Sequence, residues 1–275
     1  MSKGRSPETK EILKVALEHV KSVEYKVSLR WVFYRLLQEG FYSKKEDYNK
    51  CKALFSSARK GFEAGWHPDI LADTTRKIIW RGVGFLNEEE WVEGLECNLD
   101  KIQNQEQVLL IFYEAKAMTG QFEYYTKNIP LFALAGDPSI PYKWEIAKSI
   151  EHLAMKYNKP IKVLYFGDLD PKGKQICNSA FRDIFDWCEI DFSMEHCGLT
   201  IEQAEQFNLP INPNKPGEYQ WEALSDEQAQ EIILPYIEEY QDEGKIREIE
   251  VEEKKILSKL KNIKDEWCLN NGKNR

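Results

Sequence analysis

Three unbroken apolar runs set the strongest limit on how this chain folds. They are Val108 to Tyr113, Pro130 to Ala135 and Ile161 to Phe166, with stretches of helical character between them. A run of strand-forming residues without polar alternation is buried on both faces, which marks a parallel strand covered by helices on each side. Ala115 to Gly120 reads as a helix start and Trp144 to Tyr157 as a crossover helix. Strand, helix, strand, helix, strand predicts an α/β fold with a mostly parallel sheet.

That order has a chemical consequence, because ligands in open α/β sheets bind outside the carboxyl ends of strands. Glu114 follows the first run, and Asp168 and Asp170 follow the third, in VLYFGDLDPKG. Two carboxylates two residues apart repel each other unless a cation lies between them. Mg²⁺ suits such a pair, since it takes hard oxygen ligands and keeps several waters. The same spacing also fits a plain loop in which Asp168 caps a helix. Pro171 and Gly173 predict a tight turn before the next helix.

Upstream, residues 7–22 have helical spacing, Ser28 is placed to cap a second helix in LRWVFYRLLQEG, and a third runs from Tyr48 to Ala64. On the second helix Leu29, Val32, Phe33, Leu36 and Leu37 gather on one face. Arg30, Tyr34 and Gln38 share another stripe, expected to lie away from the core. Three short helices carrying Lys50, Lys52, Arg59 and Lys60 read as a DNA-binding module of helix-turn-helix or winged-helix type, or as any small helical domain. Arg76, in a DTTR turn, is a further candidate for DNA contact. Tyr34 is either a half-buried packing residue or a nucleophile. A phenol near pKa 10 needs a neighbouring cation or base to react at neutral pH, and Arg30 is one turn away.

The chain has 275 residues and a net charge of −8, which taken alone argues against a polyanionic partner. Residues 1–65, however, hold fourteen Lys and Arg against eight Asp and Glu. A basic front and an acidic back suit a protein that grips nucleic acid at one end and metal ions at the other. No apolar run approaches a membrane span and the first residues are polar, so no membrane association is expected. The six cysteines, Cys51, Cys97, Cys177, Cys188, Cys197 and Cys268, form no C-x-x-C pair. A reduced, cytoplasmic chain without structural zinc is the expectation. The composition shift places a domain boundary in the connector 66–95, giving 1–90 and 91–275. Further on, Cys188 to Glu195 alternates like a strand, Thr200 to Phe207 and Glu222 to Tyr240 read as helices, and LPINPNKPGEY is a loop. The tail repeats Ile246, Ile249, Ile256, Leu260, Ile263 and Trp267 near seven-residue spacing, interrupted by Glu253. It packs either on its own domain or on a second subunit.

A basic helical module with R-x-x-F-Y, a strand ending in Glu, and a strand ending in G-D-x-D-P-x-G follow one another here. In this the chain resembles the A subunit of type IIB topoisomerases and the related meiotic double-strand-break protein. It is most similar to the short, solitary Mini-A type of mobile elements and phages. Arg30, Phe33 and Tyr34 match the family's arginine and tyrosine block, and Glu114 and Lys116 in EAKAM match its E-K pair. Gly136 to Ser139 matches a glycine turn, and GDLDPKG matches the metal motif. GLTIEQAEQFNLPINPNKP and Glu222 to Leu224 match later blocks, so the likeness spans roughly residues 10–240.

The resemblance implies a winged-helix-like, mainly helical N-terminal domain followed by a Toprim α/β domain. It implies that Tyr34 attacks double-stranded DNA to leave a 5′-phosphotyrosyl link, with Arg30 orienting Tyr34 and Lys116 contacting phosphate. Glu114, Asp168 and Asp170 would hold Mg²⁺ (or Mn²⁺). A homodimer follows, because the family builds each site from the tyrosine of one protomer and the carboxylates of another. The family's ATPase B subunit is not evident as a partner: the extension that engages it and any ATP-binding motif are missing from the pattern. His196 stands where related solitary proteins tend to carry arginine. Two other readings fit the same residues, a Toprim nuclease that hydrolyses DNA without a covalent intermediate and a non-catalytic DNA-binding protein.

Overall fold

The computed structural model describes residues 5–72, 84–210 and 216–271. The turn expected at Asp73 to Arg76, and with it Arg76 as a DNA contact, lies outside the described residues, as does part of the proline-punctuated loop.

Three helices form the N-terminal part. Helix α1 (Pro7–Ser22) is capped by Ser6, whose hydroxyl accepts from Thr9 N–H, and α2 (Leu29–Gln38) by Ser28, which accepts from Trp31 N–H. Helix α3 (Tyr48–Lys60) stops at Gly61, short of the expected Ala64, and a 3-10 turn takes up Glu63–Gly65. Leu13, Val32, Phe33, Leu36, Phe55 and Trp66 make a core of their own between these helices. No strand occurs among the described residues of this part. Helix α4 (Glu88–Glu93) runs across the expected boundary at 90/91 and packs on the C-terminal helix.

The remainder is an α/β body around four parallel strands: β1 (Val108–Tyr113), β2 (Leu131–Ala133), β3 (Ile161–Phe166) and β4 (Ser193–His196), in the order β2-β1-β3-β4. β1 and β3 pair without offset, from Val108 against Ile161 to Tyr113 against Phe166. Helix α5 (Thr119–Tyr125) links β1 to β2, α6 (Ile140–Tyr157) links β2 to β3, and α7 (Pro171–Trp187) links β3 to β4. Val108, Leu110, Phe112, Val163 and Tyr165 face α6 and α7, whereas Leu109, Ile111, Tyr113, Leu164 and Phe166 face α5 and the C-terminal helices. Both faces are covered, which is why the strands carry no polar alternation.

Two local expectations need correction. Pro171 opens α7 directly, so Pro171 and Gly173 belong to the helix; proline at the first helical position lacks only an N–H that would have no intrahelical partner. The strand expected over Cys188 to Glu195 is confined to Ser193–His196, because α7 extends to Trp187.

After β4 come α8 (Ile201–Gln206), a 3-10 turn at Trp221–Ala223, α9 (Asp226–Tyr240) and α10 (Glu243–Asn271). α10 docks on its own chain through buried Ile246 and Ile249. Glu253, which interrupts the apolar repeat, anchors the helix: it accepts from Leu99 N–H at 2.6 Å and pairs with Lys101. Among the described residues no helix is long and apolar enough to cross a membrane.

Candidate functional site

The outgoing connections of neighbouring β1 and β3 pass to opposite faces of the sheet, α5 to one and α7 to the other. This is the topological switch point, where an open α/β sheet leaves a crevice beyond its strand ends. Glu114 leaves β1 and Asp168 follows β3 at that point. The two are tied together: Glu114 N–H donates to Phe166 O at 3.0 Å, and Asp168 N–H donates to Glu114 Oε2 at 2.9 Å. Gly167 between them is closely packed: a Cβ there would stand 2.7 Å from Tyr165 Oη and 2.9 Å from Glu114 Oε2, and those side-chain ends would have to shift. Gly198 closes the floor; its Cβ would lie 2.9 Å from the backbone N and O of Gly167.

A third carboxylate enters from the chain after β4. Glu222 is 4% exposed, and neither of its oxygens receives a hydrogen bond among the described residues; its ion-pair partner is Arg30, with Nε 3.5 Å from Oε1. Asp168 accepts from Trp221 N–H at 2.8 Å in the same turn. Burial, reinforced by the charges of Glu222 and Glu114 and opposed by the Trp221 N–H and Arg30, pushes the Asp168 carboxyl up to about 8. Burial also raises Glu114; the Asp168 N–H works against this, and the charges of Asp170 and Glu222 add to it. Asp170 is half-exposed.

Tyr34 requires the main correction. The stripe Arg30, Tyr34, Gln38 does avoid the core of the helical part, but it does not face solvent. Tyr34 is 4% exposed and belongs to the apolar cluster on the α/β body. Helix α2 is thus wedged between two cores, with Trp31, Val32, Phe33 and Leu36 in one and Tyr34 in the other. The side-chain hydrogen bonds of the second contact all go to residues 220–223. Tyr34 Oη donates to Gln220 Oε1, and Arg30 Nη2 donates to the same oxygen at 3.1 Å. Arg35, also buried, donates to the carbonyls of Glu222 and Ala223, and Gln38 Nε2 to that of Ala223 at 2.9 Å. Burial pushes the Tyr34 phenol up to about 12; Arg30 pulls it down, and Glu222 and Asp168 push it up. Arg30 is held above its usual value because Glu222, Tyr34 and Asp168 together outweigh its burial.

Tyr34 and Arg30 therefore stand near Asp168, and Asp168 and Asp170 near Glu114, all within one chain. Lys116 is exposed on the 3-10 turn after β1 (Lys116–Met118), lining an open groove with Lys26 and Lys127. Of the candidate DNA contacts on α3, Lys52 and Lys60 are exposed, Lys50 pairs with Asp47 at 2.9 Å, and half-buried Arg59 donates to Phe55 O at 3.3 Å. Gln220 and Glu222 carry no signal of their own in the sequence, beyond the Glu222 to Leu224 block noted above.

The donor set suits a hard cation: partly buried carboxylate oxygens, one of them with its pKa raised by burial and then by its neighbours' charge, and a buried glutamate without hydrogen bonds. No three His, Cys, Asp or Glu side chains among the described residues stand together as a ready-made cage. Any ion here would complete its shell with water or substrate oxygens, as Mg²⁺ commonly does.

Fold and site together define a mixed α/β protein with a four-stranded parallel sheet and an acidic crevice at its switch point, closed by an arginine and a tyrosine from a helical part. The chain matches no protein-family model, no curated protein and no solved structure.

Proposed function

We propose that this chain is a DNA strand-breaking transesterase of the type IIB topoisomerase A-subunit kind, acting without ATP on its own. What supports the reading is one observation: the candidate nucleophile Tyr34, its cation Arg30 and the acids Glu114 and Asp168 meet around a single crevice at the switch point. In the reaction Tyr34 Oη bonds to a backbone phosphorus while the P–O3′ bond breaks. The phenol proton ends on the departing 3′-oxygen, and the 5′ side stays linked to tyrosine. One phosphodiester replaces another, so the step is close to thermoneutral and reversible. Arg30 lowers the phenol's pKa and offers a planar donor pair to a phosphate. Glu114, Asp168 and Asp170 are the residues that would hold Mg²⁺ or Mn²⁺, which when bound neutralises charge building on the phosphate oxygens. Lys116, Lys52 and Lys60 supply contacts to the duplex backbone. The N-terminal part acts as the winged-helix-like module and the α/β body as the Toprim module, in a reducing cytoplasm. Because the tyrosine and carboxylates stand together within one chain, a homodimer serves here to bring two such sites to a duplex for a double-strand break and not to complete each site. The five cysteines described are all free.

Burial of Tyr34 favours a second reading, in which the same carboxylates position water and the protein is a metal-dependent nuclease. One experiment separates the two. Supercoiled DNA labelled at its ends is incubated with Mg²⁺ or Mn²⁺ and denatured. Ends bound to protein, lost in Tyr34→Phe, support the first reading. Free ends that persist in Tyr34→Phe support the second, and no cleavage under any condition leaves a DNA-binding protein.

A further inference from the structure

We propose that Gln220 and Glu222 are positioning residues that latch Tyr34 and Arg30 shut, and that a nucleic-acid phosphate opens the latch by competing for Arg30. The inference rests on the reading of Tyr34 as the nucleophile and goes beyond it, by naming what holds the nucleophile back and what releases it.

The two halves of the pair are unequally accessible. The Arg30 side chain is 45% exposed, whereas Tyr34 is 4% exposed. An approaching phosphodiester meets Arg30 first and cannot reach Tyr34 Oη while α2 stays seated. The hydrogen bonds of α2 itself are confined to one turn, since Arg30, Tyr34, Arg35 and Gln38 all bond within residues 220–223; the segment before α2 is held separately, through Tyr25 on Asp226 and Tyr124 on Glu24. The bonds are also replaceable. Arg30 is held by one neutral carboxamide oxygen at 3.1 Å and one carboxylate at 3.5 Å, neither of them a bidentate contact, with Tyr34 and the charge of Asp168 beside it. A phosphate presents two oxygens to the guanidinium fork, a geometry that outcompetes such single contacts. Glu222, which has no hydrogen bond among the described residues, loses its ion-pair partner when Arg30 departs. Its uncompensated charge then draws Arg30 back, so the helix reseats once the anion is lost. Gln220 holds both Tyr34 Oη and Arg30 on the same oxygen, so releasing one loosens the other.

The test reads opening directly, by hydrogen exchange in the full chain at the α2 amides and by nitration of Tyr34. Gln220→Ala should raise both by about tenfold, the effect of losing a shared, partly charged hydrogen bond. Gln220→Glu, which gives Arg30 and the phenol a charged acceptor, should lower both. The opposite signs protect the test from a variant that merely folds poorly. A short duplex DNA should raise α2 exchange in the wild type, and high salt should cancel the rise. Exchange unmoved by either substitution, or α2 protection on adding DNA, overturns the latch. In cleavage assays Gln220→Ala should form more protein-linked ends than wild type. No linked ends from any protein, with exchange behaving as stated, would remove the strand-breaking reading and leave the latch. Linked ends with unresponsive exchange would do the reverse.

Discussion

Replacing Asp168 by Asn should make the protein more stable at neutral pH. An Asp in the unfolded chain titrates near 3.9, whereas Asp168 in the folded protein is pushed up to about 8. Between those values the folded state binds a proton that the unfolded state releases, so stability falls as pH rises through the window. At pH 7 the difference of about 3 pH units above the unfolded value corresponds to a ceiling of about 4 kcal/mol at 1.36 kcal/mol per unit. Water penetration and relaxation reduce this, and about 2 kcal/mol is the expected gain. At pH 4 the unfolded side chain is itself about half protonated and the gain should shrink to less than about 1 kcal/mol. The carboxamide keeps the acceptor for Trp221 N–H, so Asp168→Asn changes charge with little change of shape. The assay is urea unfolding of both proteins from pH 4 to 8.5, with and without Mg²⁺. Wild type should lose stability with rising pH more steeply than the variant does. Saturating Mg²⁺, at about a hundredfold over its Kd, should return about 2.7 kcal/mol to wild type and much less to the variant. A variant less stable than wild type at pH 7, or a gain that does not vary with pH, would refute the assignment of a proton-binding acidic crevice.

Three further outcomes follow from the same geometry. Gly198→Ala places a Cβ 2.9 Å from the Gly167 backbone and should cost about 1–3 kcal/mol in urea melts, with weakened Mn²⁺ binding by calorimetry. Arg35→Ala strips the carbonyls of Glu222 and Ala223 of a buried donor and should cost about 2–3 kcal/mol by the same melts. Tyr34→Phe loses a single hydrogen bond to Gln220 and should change stability by only about 1 kcal/mol, while protein-linked DNA ends vanish.

The sheet was readable because its strands are buried on both sides: β1 and β3 fall on the residues their apolar runs mark, 108–113 and 161–166. That Glu114 and Asp168 stand at carboxyl ends of strands of one sheet followed from that alone; that those two strands are neighbours is seen only in the structure. Tyr34 was harder for a physical reason. Helical periodicity tells which residues avoid the helix's own core, but not whether their face meets water or a second core. Gln220 and Glu222 sit at a single 3-10 turn, too short to have a period, after a loop punctuated by prolines. Pro171 misled because the same ring geometry serves a turn and a first helical turn equally well.

The unbroken pairing of β1 with β3 has a consequence for how this chain can vary. Because Tyr113 lies opposite Phe166, the gap between Glu114 and Asp168 is fixed by the ladder and owes little to side-chain choice. Exchanging one aliphatic residue for another inside either strand leaves that gap alone. Deleting or inserting one residue there slides one acid by about 3.3 Å and turns it to the opposite side of the sheet. Length changes should therefore be confined to the connections, while the two strands drift in composition and keep their count.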